Sequence, residues 1–152
     1  MNEQKREALA ASCHEKGYNC CQSVLLSCGD LTGLDEKTAA ALGYGFGGGM
    51  HCGSVCGALS GGLMAIGAAC LAEGTPQENR PSATALSREL ERRFQERFGS
   101  MLCQDILKAA GRRVCNQCIA VAGAAAADII RQHRSETAEA GILPIDKREE
   151  IG

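Results

Sequence analysis

Ten cysteines in 152 residues are the groups in this sequence most able to do chemistry, and their spacing decides which chemistry. Cys115-x-x-Cys118 is the one C-x-x-C pair, and no second pair exists to complete a zinc ribbon. There is no C-x-x-C-H for covalent haem attachment, and no run of closely spaced cysteines of the ferredoxin kind. A shared sulfur site must therefore gather ligands from distant segments, as helix bundles do. About half of the ten are expected to be small buried hydrophobes with no chemical role.

The densest chemical stretch is Gly43 to Gly62, "GYGFGGGMHCGSVCGALSGG". Gly43, Gly45 and Gly48 match G-x-G-x-x-G, but an Ala-rich helix precedes them and no acidic residue follows until Glu73. A dinucleotide site needs a strand before the motif and an acid about twenty residues on, so no nucleotide is expected. What remains is a flexible loop leading into a helix that carries Cys52 and Cys56. Glycines let backbone lie close against a bound group and let successive N–H groups point at an anion; equally, they make a plain tight connector. His51, beside Cys52, is open to three roles: ligand, proton donor or solvent-facing residue.

These residues need elements to hold them. Aromatic residues are 3% of the chain, Trp is absent, and the apolar content rests on Ala, Leu, Ile and Val, which favours helices. Glycine and proline divide the chain into helices over 2–16, 20–28 capped by Asn19, 36–42 capped by Asp35, 54–72, 82–98 capped by Ser82, 101–110 capped by Ser100, and 114–133. Leu86, Leu90, Phe94 and Phe98 recur every four residues as the apolar stripe of a surface helix. The fold expected is all-α: a compact bundle of six or seven helices around a buried Gly/Ala-rich central helix. One domain spans 1–133, followed by a charged tail over 134–152.

Composition also excludes partners. Formal net charge is -2 with both signs interspersed, so nucleic acid has no electrostatic support. Thr38 to Ala72 carries no Asp, Glu, Lys or Arg and is long enough to span a membrane, but it is rich in Gly, Ala and Ser and lacks basic flanks. It is read as the buried central helix, with Gly57 and Gly61 forming a close-packing face for a helix pair or a symmetric dimer. "MNEQKREALAASC" has no apolar signal region, so the expected location is the cytoplasm, where thiols stay reduced.

On these boundaries Cys20, Cys56, Cys103 and Cys115 all fall in first helical turns. A helix N-terminus favours negative charge, so each is expected to be a low-pKa thiol suited to metal binding or disulfide exchange.

The pieces "GYNCCQSVL" (17–25), "GFGGGMHCGSVCGALSGGLMAIG" (45–67) with the element Cys56-Gly57-Ala58-Leu59-Ser60-Gly61, "FGSMLCQDIL" (98–107) and "RRVCNQC" (112–118) resemble the C_GCAxxG_C_C family of redox-active proteins over residues 5–132. The resemblance places the family cysteines on Cys20, Cys56, Cys103 and Cys115, with Cys118 as the alternative fourth. Similar sequence occurs in split-Soret cytochromes, which carry an iron–sulfur centre besides haem. The resemblance implies an all-α fold, a homodimer, a redox partner and an iron–sulfur cluster, without haem. Cys21, Cys52 and Cys118 lie outside the family pattern.

Three functions follow as expectations. The first is an iron–sulfur cluster on Cys20, Cys56, Cys103 and Cys115 for electron transfer or redox sensing. The second is a metal-free thiol–disulfide oxidoreductase with catalytic Cys56, resolved by Cys52 or Cys20. The third is a structural zinc site.

Overall fold

The computed structural model describes residues 1–141, which form an all-α bundle. Its helices are α1 (Glu3–Glu15), α2 (Cys20–Ser27), α3 (Gly29–Thr32), α4 (Glu36–Gly43), α5 (Gly57–Cys70), α6 (Pro76–Phe98), α7 (Cys103–Ala110) and α8 (Val114–Glu139). Helix α3, a single turn, is the addition to the seven expected segments. The tail expected from residue 134 begins later, because α8 continues to Glu139. Residues 142–152 of that tail lie outside the described residues.

Local chemistry sets the helix starts. Asn19 and Gln22 form a reciprocal capping box at α2, and Asp35 accepts the Thr38 N–H at α4. Helix α6 starts at Pro76 rather than after Ser82, because Thr75 and Glu78 make a second capping box and Pro76 occupies the first helical position. Pro81 is accommodated inside that helix. Helix α5 starts at Gly57 rather than Ser54, since the residues before it are extended: an isolated antiparallel bridge joins Val55 to Leu102. Ser100 caps the turn ahead of α7 by accepting the Leu102 N–H at 3.0 Å, which leaves Cys103 as the first helical residue.

The core forms around α5, which packs against both α2 and α8, while α1 covers α2 and α8. Small residues make these crossings close. A Cβ at Gly61 would stand 2.6 Å from the Cys21 carbonyl oxygen, and one at Gly57 would stand 2.6 Å from that of Phe46 and 3.2 Å from the Cys20 Cβ. The expected close-packing face therefore exists, and α2 of the same chain fills it. Leu90 and Phe94 of α6 are buried against this core, with Leu86 and Phe98 packed at its edge. Among the described residues α8 is long and apolar enough to cross a membrane, but 56% of its apolar window is buried inside the fold, as for a core helix.

Among the described residues one charged side chain is buried. The Arg6 side chain is 1% exposed, donates to the Ser27 carbonyl at 2.5 Å, and meets Asp30 through two hydrogen bonds of 2.5 and 3.1 Å. Arg6 thereby ties α1 to the α2–α3 junction, and the Asp30 carboxyl is held below its ordinary range, chiefly by the hydrogen bond from Arg6.

Candidate functional site

The starts of four helices meet at one cleft. Cys20 is the first residue of α2, Cys56 the N-cap of α5, Cys103 the first residue of α7, and Cys115 the second residue of α8. All four side chains line the cleft, and so does Cys118, one turn further along α8. Gly48, Gly49 and Gly57 supply backbone wall, while Ile106, Leu107 and Val114 supply an apolar one. The cleft encloses a cavity of about 20 Å3.

The Val55–Leu102 bridge holds this arrangement together. Cys56 N–H donates to the Met101 carbonyl at 2.8 Å and Cys103 N–H to the Ser54 carbonyl at 2.7 Å. Cys56 and Cys103 each directly follow a bridge residue, so two helix starts distant in sequence are fixed side by side.

The glycine loop reaches the cleft through an unusual turn. Gly48, Gly49, Met50 and His51 all take left-handed backbone, with φ between 58° and 63°, and the Ser54 N–H closes the turn on the Gly49 carbonyl at 2.9 Å. Glycine adopts this conformation freely, whereas Met50 and His51 pay about 1–2 kcal/mol each. The turn presses Gly49 so near α7 that a Cβ there would stand 2.8 Å from the Cys103 Cβ. Glycines at 49 and 57 are thus what allow Cys103 and Cys20 to reach the cleft.

The thiols do not share one proton affinity. Cys56 is lowered, first by the Cys118 thiol donating toward its sulfur and then by the Ala58 and Leu59 N–H groups, which point at the sulfur without completing a cap hydrogen bond. Cys118 is raised by that same interaction and by burial. Burial pushes Cys20 up to about 12, with Cys56, Cys115 and Cys103 adding repulsion. Cys103 and Cys115 are raised chiefly by burial, then by Cys56. The expectation of four low-pKa thiols therefore holds for Cys56 alone. In an apolar cleft burial disfavours each thiolate, and one thiolate disfavours the next.

Several expected residues stand elsewhere. Cys52 is exposed, with its sulfur 3.5 Å from the Gly49 carbonyl oxygen, and it does not line the cleft. His51 is also exposed and pairs with the Tyr44 carbonyl at 3.0 Å. Cys21 is buried against Met64, sulfur to sulfur at 3.8 Å. Cys28 is buried beside Ser27 and the Gly123 carbonyl. The apolar wall of Ile106, Leu107 and Val114 carries no sequence signal beyond helix periodicity.

The donor set and the cradle suit an iron–sulfur cluster: five thiols in the lining, backbone where a Cβ would intrude, and no charged side chain. Among the described residues no three His, Cys, Asp or Glu side chains gather around one point closely enough to hold a metal ion. A single zinc ion requires that convergence, with each sulfur about 2.3 Å from the metal. A family model described as "Putative redox-active protein (C_GCAxxG_C_C)" matches residues 18–130. No curated protein and no solved structure matches the chain.

Proposed function

The chain belongs to the C_GCAxxG_C_C family of redox-active proteins, and from that premise we propose that Cys20, Cys56, Cys103 and Cys115 hold an iron–sulfur cluster used for electron transfer or redox sensing. The observation that carries this reading is the meeting of four helix N-termini, each bearing a cysteine, at one cleft. Each N-terminus presents about half a positive charge and unpaired N–H groups, a setting that favours a bound anion. A cluster bound there would supply one-electron chemistry.

The chain's own residues have separable tasks. The four cysteines bind, and each gives up its proton on doing so, since the thiolate is the ligand. Cys20, Cys103 and Cys115 keep their protons in the metal-free cleft, so a cation must offset the charge as they ionise. Gly48, Gly49 and Gly57 bring backbone amides near the sulfurs, where N–H groups raise the potential of a bound centre. Ile106, Leu107 and Val114 exclude water from one side. Cys118 is 2% exposed beside Cys56 and is left outside the ligand set.

The reading includes a separate redox protein as electron partner, and a homodimer that sedimentation would detect. Anaerobic purification with absorption spectroscopy and iron and sulfide analysis tests its core. A brown protein with iron and sulfide in whole-number ratio supports it; a colourless, iron-free protein after reconstitution overturns it.

A further inference from the structure

The cleft holds one thiol more than four ligand positions use. Cys118, in α8, is 2% exposed and lines the same cleft as Cys56, the N-cap of α5, which is 6% exposed. Helices α5 and α8 pack against each other, so the two residues share one cleft within the packed core. Resting on the cluster reading above, we propose that Cys56 and Cys118 form a reversible disulfide in the metal-free protein, and that this bond closes the site to loading until it is reduced.

The other cysteines fit this role less well. Cys20 and Cys115 also line the cleft, but both belong to the ligand set, so that pair does not account for the fifth thiol. Cys21 faces Met64, Cys28 faces Ser27 and Gly123, and Cys52 lies outside the cleft. The lining consists of cysteines, glycines and aliphatic residues, so thiol chemistry has no competing nucleophile there.

The oxidant is a low-molecular-weight disulfide. The Cys56 sulfur attacks one of its sulfurs, giving a mixed disulfide and expelling one thiol. The Cys118 sulfur then attacks the Cys56 sulfur, breaking the mixed bond and expelling the second thiol. Two cysteine S–H bonds are lost and one S–S bond forms. Both protons and both electrons leave on the released thiols.

Reduced, metal-free wild-type protein is treated anaerobically with oxidised glutathione, then examined by intact mass and by fragmentation of the peptide that carries both Cys115 and Cys118. The expected product has lost two hydrogens, carries no glutathione, and is linked from Cys56 to Cys118. It takes up no iron or sulfide until a dithiol reductant restores full uptake. In Cys118→Ala the same treatment leaves glutathione attached to Cys56 and no internal link. A link to Cys115 instead of Cys118, a persistent adduct on wild-type Cys56, or full loading of the linked form overturns the proposal. If fully reduced wild type takes up no iron and sulfide, the cluster reading fails and loading control fails with it, while the mass map still decides the disulfide.

Discussion

Alanine at Gly61 and alanine at Gly67 should move stability in opposite directions, although both sites lie in α5 and neither has positive φ. At Gly67 an added Cβ meets nothing within 4 Å, so the change only removes glycine's entropic cost and should stabilise by about 0.5–1 kcal/mol. At Gly61 the same methyl would stand 2.6 Å from the Cys21 carbonyl oxygen, 3.1 Å from Val24 Cβ and 3.2 Å from Cys21 Cα. A backbone carbonyl cannot swing aside as a side chain can, so α2 must shift away from α5. Overpacking of this kind costs about 1–3 kcal/mol against a helix-propensity gain of about 1 kcal/mol. The net expectation is a loss of up to about 2 kcal/mol, or a fall in Tm of up to about 8 °C for a domain of this size. Thermal unfolding of both variants beside wild type, in the reduced metal-free state, measures this. Gly61→Ala as stable as Gly67→Ala would refute the account of how α2 and α5 approach, and with it the placing of Cys20.

Four other outcomes are expected. Gly57→Ala should impair iron uptake beyond its effect on stability, because the new methyl would stand 3.2 Å from the Cys20 Cβ; iron per folded chain after reconstitution checks this. Met50→Gly should raise stability by about 1 kcal/mol, because it relieves a left-handed backbone at φ 58°, read by urea unfolding. Asp30 has a folded pKa below its unfolded one, so its contribution is complete above the unfolded value near 4 and disappears as pH falls through the folded value. Asp30→Asn should therefore flatten the acid limb of a stability-versus-pH curve. Cys52→Ala should leave both stability and iron uptake unchanged, since the thiol is exposed and outside the cleft.

The capping residues Asn19 and Asp35, the punctuating glycines and the four-residue stripe of α6 act over a turn or two of chain, which is why helix positions could be read from sequence. The Gly57 and Gly61 face was legible for the same reason, as two glycines at helical spacing. The misread start of α6 is instructive: "TPQE" is a capping box with proline at the first helical position, and the second proline obscured it. The Val55–Leu102 bridge is not legible, because it pairs residues far apart through backbone hydrogen bonds that carry no side-chain signature. Nor is the left-handed turn, since Met50 and His51 adopt it against their preference, held by Ser54 and the bridge beyond it.

At the site, helix-start spacing pointed to Cys20, Cys56, Cys103 and Cys115, and the fold brings all four to one cleft. Their proton affinities depend on burial and on one another, which spacing does not report. Cys52 looked comparable to Cys56 because it lies four residues away, but the turn between them aims the two thiols differently. Cys118 shares its helix face with Cys115 at i, i+3 spacing, a signal present in the sequence.

The most direct measurement is iron and acid-labile sulfide per chain after anaerobic reconstitution, for wild type and for single alanine variants of the five cleft cysteines. Equal iron and sulfide in wild type, lost in Cys20→Ala, Cys56→Ala, Cys103→Ala and Cys115→Ala but kept in Cys118→Ala, is the predicted pattern. Iron-free wild type, or full retention in any of those four, would contradict it.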